Sequence, residues 1–149
     1  MAIYTRYKRP GGLRALVELL ESSAPTSRKK MIDKGLIEDE KFTRLAESYI
    51  LTWEDVINLS DPELCETLAK ANPRAIGMAL IGLPTDQVQR FLRNSPMKSI
   101  GDIREMLEQK LGPREVSGAR VLIVQATREL EKAGVLKVKK IPEMVELTE

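Results

Sequence analysis

The chain has 149 residues, 42% of them hydrophobic and 31% charged, with a formal net charge of +2. That length suits one domain or two small helical ones, and the charge is too slight to imply nucleic acid by itself. Histidine is absent and cysteine occurs once, at Cys65, which excludes Cys–His and Ser–His catalysis and an intramolecular disulfide framework. Aromatic residues make up 4%, so the core must be aliphatic, which favours helix bundles over sandwiches.

Residues 1–12 read as a basic arm, "MAIYTRYKRPGG", lacking the apolar core of a secretion signal. No apolar run approaches the roughly 18–20 residues that span a bilayer. Leu13, Leu16, Val17 and Leu20 then form one helical stripe, broken at Ser22–Pro25. A second helix is expected from Pro25 to Gly35, carrying Met31 and Ile32. A third places Phe42, Leu45, Ala46 and Tyr49 on one face. Residues 13–49 thus form a three-helix module near the armadillo period. Ile50, Leu51, Thr52 and Trp53 are apolar and β-branched, a poor helix continuation and a candidate hinge.

In the second module, residues 54–138, Glu54 and Asp55 suit the start of a helix better than a metal. Ser60 and Glu63 read as a capping box before Leu64, Leu68 and Ala71. Asn72-Pro73 reads as an N-cap and first helical position for Ile76, Ala79 and Leu80, ending at Gly82. Thr85 is expected to cap the next helix, with Val88, Phe91 and Leu92 inward. A further helix is expected over 97–110, with Ile100, Ile103 and Leu107 inward. A long one is expected from Ser117 to Ala133, with Ala119, Leu122, Ile123, Ala126 and Leu130 inward. Residues 139–149 are left as a tail. No strand-period segment of useful length occurs, so the fold class is all-α. Cys65, beside Leu64 and without a histidine partner, reads as a small buried hydrophobe. Ile81 is anomalous, because the C-terminal turn of a helix favours a cation.

Four landmarks in this order carry a resemblance: "GGLRALVELLES" (Gly11–Ser22), "ILTWEDV" (Ile50–Val56), "ALIGLPTDQVQRFLRN" (Ala79–Asn94) and "LGPREVSGARVLIVQATRELEKAGVLKV" (Leu111–Val138). The chain resembles the C-terminal region of the flagellar motor switch family FliG over about residues 11–138. The resemblance implies an armadillo-like three-helix module followed by a small helical bundle, in a right-handed superhelical arrangement. It implies no enzyme, cofactor, metal or small-molecule substrate. The implied role is rotor-side contact in motility, torque generation or switching, with FliM, other FliG subunits and the stator protein MotA as partners. The implied location is cytoplasmic, at the flagellar basal body. The family's N-terminal domain and first middle domain have no counterpart in these residues, which a short paralogue or a fragment would both satisfy.

By position, the basic residue opening the family's charged helix matches Lys98, and the first of its two adjacent acids matches Glu105; the second falls on Met106. The family's arginine after Gly-Pro-Val falls on Glu115, with Arg114 beside it. The lysine of its Ala-Leu-Lys-Gly falls on Ile81. The resemblance therefore supports fold and assembly better than it supports the charged contact. Without it, Lys98/Asp102 and Arg104/Glu108 read as a solvated face of i,i+4 pairs. The module at 13–49 lacks the neighbour on which the family is thought to stack it, so Leu16, Leu20, Met31 and Leu45 form a candidate stacking face, covered in a homo-oligomer or by a partner. The alternatives are a FliG-like scaffold without a torque role, and a nucleic-acid-binding helical module using the basic clusters "RYKR", "SRKK" and "VLKVKK"; stacking aromatics and a reader helix are lacking for the latter.

Overall fold

The computed structural model describes Tyr7 and residues 9–143. All regular structure among them is helical: α1 (Gly12–Ser22), α2 (Pro25–Glu38), α3 (Glu40–Ser48), α4 (Trp53–Ile57), α5 (Asp61–Lys70), α6 (Pro73–Leu80), α7 (Thr85–Arg93), a 3-10 turn (Met97–Ser99), α8 (Ile100–Leu107) and α9 (Pro113–Lys132). The chain forms two compact units, Met1–Leu51 with Lys137–Glu149, and Thr52–Leu136. Most of the basic arm, residues 1–6 and 8, and the end of the tail, 144–149, lie outside the described residues.

In the first unit α1 buries Leu13, Leu16, Val17 and Leu20 against Phe42, Ala46 and Ile50. The stripe seen in the sequence is therefore core, and Leu16 and Leu20, at 2% and 0% exposure, are unavailable as a stacking face. Met31 and Leu45 are half-buried against the same cluster. What closes the cluster is the supposed tail. Ile141 is buried within it, the Gly11 N–H donates to the Glu143 carbonyl at 3.1 Å, and Lys139 Nζ donates to the Ile50 carbonyl at 2.8 Å. A layer of apolar surface expected from a partner comes from the same chain. Helix α2 runs through Gly35 to Glu38 rather than stopping at the glycine, because Asp39 ends it and its side chain accepts from Phe42 N–H to start α3.

In the second unit α9 packs along α4, α5 and α6, and α6 is held between α8 and α9. Val56, Leu64, Leu68, Ile76, Leu80, Phe91, Ile103 and Ile123 fill its interior. Ser60 and Glu63 form the expected capping box, and the Asn72 side chain accepts from the N–H groups of Arg74 and Ala75. Helix α9 begins at Pro113, one turn before Ser117, since a proline at the first position forfeits no hydrogen bond. It ends at Lys132, and Gly134 beyond it, with a φ of 81°, closes the terminus as Gly134 N–H donates to the Glu131 carbonyl and Val135 N–H to the Leu130 carbonyl. Leu122 faces outward at 54% exposure. Cys65 is exposed too, its Sγ 3.2 Å from Asn94 Oδ1; it sits one position off the Leu64/Leu68 stripe, so the helix turns it to solvent.

Candidate protein-interaction surface

Helix α8 carries the charged segment, and its position is fixed by a glycine. A Cβ on Gly77 of α6 would lie 2.6 Å from the Ile103 carbonyl oxygen and 2.6 Å from Met106 Cβ. The bare backbone at 77 lets α8 approach at a distance no side chain would allow. Ile103 and Met106 are consequently buried against α6, while Asp102, Arg104 and Glu105 are exposed. Lys98 is exposed on the 3-10 turn that precedes α8. Neither Lys98/Asp102 nor Arg104/Glu108 closes as an ion pair. Lys98 precedes the α-helical spacing and Glu108 lies past the last helical residue. Arg114 and Glu115 are exposed in the first turn of α9, where Glu115 also complements the helix dipole.

Ile81 is the C-cap of α6, extended and half-buried. The cation that this helix end lacks arrives from α9. Arg120 Nε donates to the Ala79 carbonyl at 3.0 Å and Nη2 to the Ile81 carbonyl at 3.2 Å. Its guanidinium also lies over the Trp53 ring, 5.2 Å from the centroid, and Trp53 packs on Phe91 with ring centroids 5.6 Å apart. Burial pushes the Arg120 guanidinium below its ordinary pKa, and the nearby carboxylate of Glu54 pulls it back up. The pattern recurs at two other helix ends without a basic residue of their own. Arg28 donates to the carbonyls of Leu20 and Glu21 at the end of α1, and Arg90 to those of Ile57 and Leu59 after α4, with Asp61 holding its Nε.

The four residues of the supposed hinge divide between the units. Ile50 and Leu51 are buried in the first, where the Leu51 N–H donates to the buried Glu21 carboxylate at 2.7 Å. Thr52 and Trp53 open the second, where Thr52 and Asp55 form a second capping box around the start of α4. Glu54 and Asp55 are thus early-turn acids. No cluster of ligand-type side chains able to hold a metal occurs among the described residues, and no helix among them is long and apolar enough to cross a membrane.

The family model for the FliG C-terminal domain matches residues 37–138. This chain belongs to the FliG C-terminal domain family. Similar relatives include the flagellar motor switch protein FliG of Thermotoga maritima, 24% identical over 131 residues, covering 86% of this chain and 39% of that protein. FliG of Helicobacter pylori is 25% identical over 146 residues, covering 95% and 42%. The chain therefore spans about two fifths of the length of these curated relatives. A crystal structure of an H. pylori FliG fragment shares the fold, with a TM-score of 0.60 and 23% identity over 87% of this chain and 62% of that one.

Within the FliG frame, the carried-over positions separate into two groups. Lys98, Glu105, Arg114 and Glu115 are all on the surface. Met106 is in the core, where a carboxylate would face α6, and the helix end at Ile81 is already answered by Arg120. Reading the sequence missed the arginine caps, whose donors and acceptors lie far apart in the chain. The one available signal was negative: helix ends with no cation of their own.

Proposed function

We propose that this chain is a non-enzymatic component of the flagellar motor switch that acts through protein–protein contact, on the cytoplasmic side of the basal body. Its expected partners are FliM, other FliG subunits and the stator protein MotA, and its candidate stator-facing charges are Lys98, Glu105, Arg114 and Glu115. The observation that carries this reading is the exposure of all four positions, alongside membership of the FliG C-terminal family. Exposed charges of this kind contribute little to the stability of their own chain, which leaves them free to serve a partner.

Burial of Met106 and the apolar Ile81 favour a second reading. The charged contact is thinner here than the family pattern, and the chain serves as a FliG-like scaffold without a torque role. Pull-down of FliM, FliG and MotA from the same organism tests both. Capture of MotA supports the torque contact; capture of FliM or FliG without MotA supports the scaffold; capture of none refutes a switch role.

A further inference from the structure

Helix α7, the 3-10 turn and α8 enclose an open groove of ≈ 400 Å³ in the second unit. Leu92, Ile100 and Met97 give it an apolar lining, and Met97 leaves 92% of its surface exposed. Arg93 and Arg104, both exposed, stand on the same groove. The remaining lining, Gln89 and Ser95, is neutral, so the groove has two cations and no carboxylate. Neither guanidinium has a hydrogen-bond or ion-pair partner among the described residues. Elsewhere, Arg44 pairs with Glu40 and Arg90 with Asp61.

Free guanidiniums beside a methionine, a side chain that adapts to varied apolar partners, call for an acidic segment with apolar anchors. The chain carries one. Residues 143–149 read "EMVELTE": Glu143, Glu146 and Glu149, no cation, and Met144, Val145 and Leu147 between them. We propose that the groove of one copy binds residues 143–149 of a second copy. Glutamates of that segment meet Arg93 and Arg104, while its aliphatic side chains cover Met97, Leu92 and Ile100. The contact is heterologous, groove to segment, so it adds copies head to tail rather than closing a two-fold dimer. It is independent of the motor reading, since it uses none of the four carried-over charges.

A fluorescent peptide of residues 143–149, titrated with the full chain and read by anisotropy, tests the complementarity. Sedimentation velocity over a concentration series tests whether the full chain self-associates. The peptide is expected to bind saturably and to lose about tenfold in affinity in Arg93→Glu/Arg104→Glu, the sum of two exposed ion pairs. A peptide with its three glutamates changed to lysine should fail with the native chain and bind the double variant. The native chain should sediment faster as concentration rises, and the double variant should not. Circular dichroism of the double variant checks that these surface changes leave the fold intact. No peptide binding, or binding indifferent to the double variant, overturns the groove. A native chain that stays monomeric at concentrations that saturate the groove with peptide overturns the second copy as occupant, in favour of the same chain's own segment or another protein's.

Discussion

Ile81 is odd only as long as the helix end is considered by itself. The carbonyls of Ala79 and Ile81 are reached by Arg120, which also covers Trp53, so a lysine at 81 would add little to the fold. Arg120→Met, which keeps the stem and removes the charge, should cost about 2–3 kcal/mol, the worth of hydrogen bonds from a charged donor to carbonyls left partly buried. Urea denaturation measures it; a loss below about 0.5 kcal/mol would mean that water replaces the guanidinium. Met106 is the opposite case. It is 7% exposed against α6, and Met106→Asp would place an unpaired carboxylate there. A loss of about 3 kcal/mol or more is expected, whereas a variant as stable as the parent would show that position 106 can turn to the surface.

Helices that were legible in the sequence are those whose signals are local. The Ser60/Glu63 box and the Asn72-Pro73 start involve residues three apart or fewer, and both stand as expected. Signals that misled were those a tertiary contact overrides: Gly35, buried within α2 instead of ending it, and Leu122, apolar but turned to solvent. The α6–α8 crossing depends on Gly77 in a way that periodicity does not announce, since a glycine inside a helix ordinarily weakens it. Gly77→Ala should improve helix propensity by up to about 1 kcal/mol and still destabilise the protein by about 1–3 kcal/mol, because the new methyl group meets the Ile103 carbonyl. Thermal unfolding gives the sign directly, and a raised Tm would mean that α8 can move outward without loss.

At the largest scale, residues 141 and 143 belong to the unit that α1 opens. Ile141 completes the core built on Leu16 and Leu20, a pairing of residues more than a hundred positions apart that no window on the sequence contains. Ile141→Ala should remove about 2–4 kcal/mol by opening a cavity in that core. Amide hydrogen exchange should show α1 and α3 losing protection while α5, α6 and α9 keep theirs; uniform loss would mean that the two units unfold together. Family membership, by contrast, is legible from four short landmarks taken in order, since each is a local pattern of residues. Under the proposed function, the exposed charges Lys98, Glu105, Arg114 and Glu115 serve a partner. The most direct test is the affinity of the purified chain for FliM, FliG and MotA of its own organism, measured by calorimetry with the native protein and with Lys98→Glu/Glu105→Lys/Arg114→Glu/Glu115→Arg. Micromolar or tighter binding to at least one of them is expected, weakened by about tenfold or more on charge reversal with the fold retained; binding to none, or binding that the reversal leaves unchanged, would contradict a partner-facing role for these charges.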